Sequence, residues 1–478
     1  MTSETTENAA PPGETDDGLL LAFYGDDFTG STDVLESLSL NGVETVLFLD
    51  PPSSDDLAAF EGIQAVGVAG QSRTMSPGEM DDHLPPVFEA LGELDPELVH
   101  YKVCSTFDSS SEVGSIGHAI DLAQETFDSP FVPVVVAAPS LQPRGRYVLF
   151  GNLFATVEGT TYRLDRHPTM SDHPVTPMTE ADLRRHLGEQ TDREIGLLDI
   201  RSIDGKRGEA VTADLDSVAD SNDVVVVDGL NHGHQRKIGR AIWKRATAAS
   251  APLFSASSSG LNYALASHWH DAGVVDDPGS PDGAEAVDRI VVTSGSASPV
   301  NEAQIEWGLS HGFAGVRLDT ERLLDPETAE EARGDAVADA LDALESGDSV
   351  IVYSARGPED PAIQATRERA DALGLDDTAV GERLGTEQAK LTRTLLEETG
   401  IRRACIAGGD TSGYVAPQLD VYALEFLAPV GPGSPLCLAR SRDPAFDGLE
   451  IALKGGQVQT TATADDFFGA VRDGGALD

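Results

Sequence analysis

The 478-residue chain reads as an α/β protein of two domains, each a mainly parallel sheet flanked by helices, with a ligand cleft between them. Three observations predict this. Short apolar runs alternate with helical periods along most of the length, as in strand–helix–strand units. A Pro/Gly/Asp-rich stretch, DDPGSPDGAEAV (Asp276 to Val287), divides the alternating run in two. The length also exceeds that of one ordinary domain. The expected division is a disordered acidic tail over 1–18, a first domain over 19–275, a linker over 276–288 and a second domain over 289–478.

Leu19 to Phe23 is a buried strand, broken by Gly25 and followed by Asp26, Asp27 and a helical period from Val34. Two adjacent carboxylates therefore sit where a parallel strand hands over to a helix, the end of an open α/β sheet at which ligands bind. The same stretch reads equally as a polar loop in which one Asp caps the helix. Val43 to Leu49, Ala65 to Ala69, Val99 to Val103 and Val132 to Ala137 are further strands. Asp55 to Phe60, Glu79 to Leu91 and Ile116 to Phe127 are helices between them. Gly145 to Met178 lacks periodicity and reads as a long ordered loop carrying Arg163, Arg166, His167 and His173. Alternation resumes with Glu180 to Leu187, Gly196 to Ile200, Val224 to Val227 and a helix over Arg236 to Ala248. In the second half, strands around Ile290 to Val292, Val316, Ile351 and Ile406 alternate with helices over Pro326 to Leu344 and Thr386 to Glu398. Phe467 and Phe468 anchor the C-terminal segment.

Composition restricts the chemistry. Asp and Glu number 81 against 33 Lys and Arg, a net charge of −48, and the acid is spread along the whole chain. That is a well-solvated acidic surface of the kind suited to high salt, and it speaks against sequence-independent nucleic-acid binding, which needs cations to neutralise phosphates. Three distant cysteines with no Cys/His metal spacing argue against a disulfide framework or a zinc site. With no signal-peptide pattern and no apolar run long enough to cross a bilayer, a soluble cytoplasmic protein without membrane partners is expected.

Four strand ends in the second half open into polar or glycine-rich loops: TSGSAS (Thr293 to Ser298), SARG (Ser354 to Gly357), GGDTSG (Gly408 to Gly413) and KGG (Lys454 to Gly456). Glycine lets backbone approach phosphate oxygens, and a following helix N-terminus offers free N–H groups. None matches a P-loop or a dinucleotide fingerprint, yet several such loops on one sheet point to a nucleotide. GPGSPL (Gly431 to Leu436) reads as a rigid turn. In the first half Lys102, one of only six lysines, precedes Ser105 and Thr106 and pairs either with an anionic substrate or with Asp26 or Asp27. Arg73 ends another strand and can serve the same site. Arg163, Arg166, His167 and His173 read as anion binders, or else as surface charges or structural hydrogen-bonders. Cys104 reads as a buried strand residue rather than a nucleophile.

Taken together, GDDFTGSTD (Gly25 to Asp33), YKVCST (Tyr101 to Thr106), HPVTPM (His173 to Met178), TSGSAS, GGDTSG, GPGSPL and LKGGQV (Leu453 to Val458) resemble the four-carbon acid sugar kinase family from about Leu19 to Phe468. That resemblance implies an N-terminal acid-sugar-binding domain, a C-terminal nucleotide-binding domain and transfer of the ATP γ-phosphoryl group to a hydroxyl of a small sugar acid of tetronate, 3-oxo-tetronate or 3-oxo-isoapionate type. By residue, it implies ATP contacts at Ser294, Ser296, Gly408, Gly409, Asp410, Thr411 and Gly455, and acid-sugar contacts at Asp26, Asp27, Arg73, Lys102, Ser105 and Thr106. Many relatives read KxDSTLRG where this chain has KVCSTFDS (Lys102 to Ser109), so an acid has become Cys104 and a basic residue Asp108. An arginine that would meet a substrate carboxylate is therefore missing from that stretch, and Arg163 or Arg166 is expected to replace its charge. GGET, usual in the family, is GGDT here.

The expected mechanism places ATP–Mg²⁺ on the glycine-rich loops and the acid sugar against Lys102 and an arginine. Asp27 or Asp26 orients or deprotonates the acceptor hydroxyl. A homodimer is left open. The competing readings are a two-domain protein that holds an acidic metabolite without turnover, against which the phosphate-type loops speak, and a nicotinamide-dependent oxidoreductase, which the missing GxGxxG disfavours.

Overall fold

A computed structural model describes residues 18–141, 144–157, 159–173, 176–276, 279, 283–456, 458 and 465–475. The expected tail, all but Gly18, lies outside the described residues, as do Pro174 and Val175 of HPVTPM, Gln457 of LKGGQV and residues 277, 278 and 280–282 of the expected linker.

Strand β1 (Leu21–Gly25) is buried at every position. It lies between the parallel strands Ala65–Ala69 and Leu98–Lys102, with Thr45–Phe48 and Leu253–Ser257 outside them. An uninterrupted apolar strand is what a sheet covered on both faces requires. Helix α1 (Phe28–Ser39) follows β1 directly and buries Val34, Leu35 and Leu38. In the second half Leu449–Lys454, Arg403–Ala407, Val291–Ser294, Ser349–Tyr353 and Phe313–Arg317 form a parallel run in that order. Elements over 65–69, 116–127 and 224–227 match the expected boundaries, and Phe467 and Phe468 are fully buried as expected.

Separate sheets for the two halves were expected, and one twelve-stranded sheet is found. A hairpin of Val421–Gly431 and Ser434–Ser441 joins them, turning at Pro432-Gly433, where Gly433 has φ +77°. Its first strand pairs antiparallel with Thr45–Phe48 and its second with Leu449–Lys454. Each half would otherwise end in an open strand edge, and the hairpin uses both. Local pattern shows that a strand exists, not which edge it meets. The core is shared in the same way: Leu35 and Leu38 of α1 pack in one cluster with Leu424, Cys437 and Ala439 of the hairpin.

The 145–178 stretch is also more ordered than a loop. It folds as an antiparallel sheet of Arg146–Leu149, Asn152–Val157 and Thr160–Arg163, with two 3₁₀ turns after it. Its strands are short and half-exposed, so periodicity is weak. Asp228 anchors it, accepting from the backbone N–H groups of Phe150 (2.6 Å), Gly151 (2.8 Å) and Ile200 (2.9 Å).

Polar contacts fasten α1 to the hairpin turn. Thr32 Oγ1 donates to the Gly433 carbonyl at 2.9 Å, and Gly433 N–H donates to Glu36 Oε2 at 2.5 Å. Burial pushes the Glu36 carboxyl up to about 8; the Gly433 N–H opposes this and Asp33 adds to it. An acid whose folded-state value is raised contributes stability that is fully present below its usual value near 4.5 and is lost as pH rises through about 8. Glu36→Gln keeps an acceptor for Gly433 and cannot ionise. Its melting temperature should fall less between pH 5 and pH 8.5 than that of the wild type and exceed it by a few degrees at the upper end. Thermal melts across that range check this, and parallel pH profiles would remove the assignment.

Candidate functional site

The C-terminal end of β1 carries Asp26 and Asp27 into α1. Asp27 is the N-cap, with φ −142° and ψ 164°, and its Oδ1 accepts from Gly30 N–H at 2.6 Å. The capping alternative is therefore real, but it occupies only one of the two oxygens. Arg73, in the 3₁₀ turn Ser72–Thr74 after the neighbouring strand, reaches both acids. Its Nε and Nη2 hold Asp26 at 3.1 and 2.6 Å, and its Nη1 holds Asp27 Oδ2 at 2.7 Å. Burial works against the guanidinium charge, but Asp26 first and then Cys104 and Asp27 hold Arg73 well above its ordinary value. It is a permanent cation bridging two carboxylates. Asp26 is almost fully buried, whereas 31% of the Asp27 side chain is exposed.

Lys102 does not pair with Asp26 or Asp27. Its Nζ lies 3.3 Å from Asp33 Oδ2, one turn along α1, and the Ser259 hydroxyl donates to that same oxygen. Asp33 had no signal of its own in the sequence, since acids are common in this chain. Beyond Lys102, Thr106 Oγ1 donates to Asp108 Oδ1 at 2.5 Å and stands 2.9 Å from Cys104 Sγ. Ser105 between them is half-buried. Burial, then Asp108, raises the Cys104 thiol, the opposite of the lowered value that marks an activated cysteine.

The other predicted anion-binding residues lie elsewhere. Arg163 donates to Asp165 Oδ1 at 2.6 Å, and Arg166 approaches the same carboxylate at 3.7 Å. Both are exposed, and neither lines the cavity described below. His167 is buried, its Nδ1 accepting from Thr169 and Met170 N–H at 3.2 and 3.3 Å, which places its proton on Nε2. His173 Nδ1 accepts from Thr176 N–H at 3.1 Å.

In the second half the predicted loops converge. Gly408 has φ +136° and opens the Gly409–Gln418 helix, whose start has no capping side chain. Gly409 and Asp410 are exposed there, while Thr411 is buried. A Cβ on Gly295 would stand 2.1 Å from Thr411 Oγ1, and one on Gly408 2.9 Å from it, so neither loop has room for a side chain. Asn301 ties the first loop together, donating to Ser294 Oγ at 2.6 Å and to the Ser296 carbonyl at 2.7 Å. Beneath it Lys454 is fully buried, 3.5 Å from Asn301 Oδ1, and burial lowers its ammonium to about 8. Bare backbone at an uncapped helix start is a ready anion cradle.

These two regions face one another. A Cβ on Gly455 would stand 3.2 Å from Thr29 Oγ1, two residues past Asp27. A cavity of about 800 Å³ is lined by Asp27, Thr29 and Arg73 from the first half and by Gly409, Asp410 and Tyr414 from the second. Among the described residues no helix is long and apolar enough to cross a membrane.

Each half of the chain matches a family model. The family model for a sugar-binding N-terminal domain matches residues 21–265, and that for a nucleotide-binding C-terminal domain matches residues 291–463. The chain is 46% identical to the 3-oxo-isoapionate kinase of Paraburkholderia graminis over 96% of this chain and 95% of that protein. It is 32% identical to the 3-oxo-tetronate kinase of Cupriavidus necator over 94% of this chain and 95% of that one. A solved structure from Salmonella typhimurium LT2 superposes with a TM-score of 0.72 at 26% identity, covering 94% of this chain and 97% of the other. With a sugar-binding half matched around Asp26, Asp27 and Arg73 and a nucleotide-binding half matched around the glycine-rich loops, the chain belongs to the four-carbon acid sugar kinase family.

Proposed function

We propose that this protein is an ATP-dependent kinase that phosphorylates a hydroxyl of 3-oxo-isoapionate, with 3-oxo-tetronate as the second candidate. The observation that carries the reading is the cavity of about 800 Å³ shared by Asp27, Arg73 and the Gly409–Asp410 helix start. The similarity to 3-oxo-isoapionate kinase over nearly the whole of both chains favours the first substrate. Residues 19–275 form the acid-sugar half and 289–478 the nucleotide half, joined by 276–288.

Phosphoryl transfer asks for positioning and charge stabilisation more than for covalent chemistry. ATP supplies the γ-phosphoryl group. Ser294, Ser296, Gly408, Gly409, Thr411 and Gly455 place backbone and hydroxyl donors around the phosphates. Asp27 orients the acceptor hydroxyl: each of its oxygens already accepts one hydrogen bond and retains a second lone pair, and it is the more accessible of the two acids. Asp26 holds Arg73 in place. Among the described residues no three His, Cys, Asp or Glu side chains are grouped to hold a metal. Mg²⁺ fits nonetheless, since it binds through one or two carboxylates and the substrate phosphates. Asp410, exposed on the cavity wall, is the carboxylate placed for it, and the ion would neutralise phosphate charge. Because Thr45–Phe48 bonds directly to Val421–Gly431, exclusion of water falls to the loops rather than to a hinge between the halves.

Asp27→Asn keeps a helix-capping oxygen and should lower kcat by about 10²–10⁴-fold while leaving nucleotide affinity near the wild-type value. Coupled ADP-release kinetics with 3-oxo-isoapionate and 3-oxo-tetronate, beside nucleotide titration, measure both; near-normal turnover would sink the role of Asp27. Gly408→Ala puts a Cβ against Thr411 at a backbone angle that L residues rarely adopt. It should raise the KM for ATP by roughly tenfold or more with little change in that for the sugar acid. A matching rise in both constants would argue against a dedicated phosphate cradle.

A further inference from the structure

Lys102 stands beside two carboxylates without pairing with either. Its strand runs against β1, and Asp26 N–H donates to the Lys102 carbonyl at 2.9 Å. Gly30 shows how near the ammonium comes. A Cβ on Gly30 would stand 2.5 Å from Asp27 Oδ1, 3.3 Å from Lys102 Nζ and 3.7 Å from Asp26 Oδ1. One small space over a bare glycine is therefore bordered by the cation and by both acids. Opposite charges attract strongly where water is scarce, so an ammonium placed there closes onto a carboxylate unless another group holds it back.

Asp33 is that group. Its Oδ2 lies 3.3 Å from Lys102 Nζ, the one ion pair of Lys102 among the described residues. The Asp33 carboxylate is fixed in turn from two other elements. Ser259, fully buried at the start of the helix Ser259–Ala272, donates its hydroxyl to the same Oδ2. From the opposite side Gly433 of the hairpin turn closes over it, where a Cβ would stand 3.3 Å from Asp33 Cβ and 3.6 Å from Oδ1. Thr32 and Glu36, flanking Asp33 along α1, hydrogen-bond that same turn. The carboxylate thus has little freedom to follow the ammonium toward Asp27. The GPGSPL turn of the second half of the chain thereby helps to fix a charge in the first.

We propose that Asp33, backed by Ser259, is a positioning residue for phosphoryl transfer: it holds Lys102 off Asp27, so that Asp27 keeps a lone pair for the acceptor hydroxyl. This rests on the kinase reading above, in which Asp27 orients that hydroxyl. Oδ1 of Asp27 already accepts from Gly30 N–H, and Oδ2 from Arg73. An ammonium arriving over Gly30 takes the remaining lone pair of Oδ1 and crowds the acceptor out. Asp33 itself does not line the cavity and acts through Lys102.

The test centres on Asp33→Asn, which keeps the size of the side chain and an oxygen for Ser259 but removes the charge. Its crystal structure, without substrates, should show Lys102 Nζ hydrogen-bonded to Asp27. A Lys102 that stays beside residue 33, or turns to Asp26, would overturn the proposal. In coupled ADP-release kinetics with 3-oxo-isoapionate and 3-oxo-tetronate, kcat should fall about 10–100-fold, part of what a positioned base contributes, with the KM for ATP unchanged; wild-type kcat would refute the role. Lys102→Met separates positioning from general structural damage. Adding Asp33→Asn to it should cost no further kcat, and the same fold-loss repeated in that background would count against the proposal. If Lys102→Met shows no turnover, the crystal structure decides. Ser259→Ala should give a smaller loss with the same dependence on Lys102, and it carries the test if Asp33→Asn does not fold. A wild type that turns over neither acid refutes the kinase reading alone, because the place of Lys102 in Asp33→Asn is read without turnover.

Discussion

Four carboxyl groups on one short segment, Asp26, Asp27, Asp33 and Glu36, must be satisfied largely away from bulk water. A buried carboxyl group left without a partner, charged or neutral, would be costly, and the solutions organise the molecule. Asp26 and Asp27 take Arg73 from the next strand, Asp33 takes Lys102 from the strand on the other side, and Glu36 takes a backbone N–H from the hairpin turn. Helix α1 is thereby fastened to both neighbours of β1 and to the second half of the chain. Asp27 remains the accessible member, held in place by a cap at one oxygen and a guanidinium at the other.

The same constraint aligns the two halves. The hairpin that reaches Glu36 and Thr32 through Gly433 also closes the sheet between Thr45–Phe48 and Leu449–Lys454. The loop after that last strand then meets Thr29 at the start of α1. Nucleotide-side backbone and sugar-side carboxylates are brought together by a continuous sheet and a shared core, not by two bodies meeting across a flexible joint. On the proposed reading, phosphoryl donor and acceptor gain their alignment from that rigidity.

An overall charge of −48 makes cations the scarce component. Most arginines of the surface hold nearby acids, such as Arg317 on Asp360 and Arg201 on Asp199. A substrate that is itself an anion needs a cation that the protein has not already neutralised. In the sequence Arg163 and Arg166 sit in one aperiodic stretch, and only the tertiary structure shows that both are exposed and face Asp165.

The amino-acid sequence determined the alternation of strands and helices, the loops at strand ends and the place of Asp26, Asp27 and Arg73 at the C-terminal ends of strands. These follow from local chemistry: apolar period, glycine where backbone must approach, and carboxylates at a strand-to-helix turn. That TSGSAS and GGDTSG open as loops from strands of one sheet was legible for the same reason, whereas the individual positions Ser294, Ser296 and Gly408 to Thr411 were implied by the family resemblance. Tertiary structure alone decided the rest. Edge pairing between strands more than 370 residues apart leaves no local trace, so two expected sheets became one. Lys102 chose Asp33 over Asp26 and Asp27 because side-chain reach across a helix turn, not sequence proximity, selects an ion-pair partner. Which acids are buried depends on how the whole chain distributes water-excluded space.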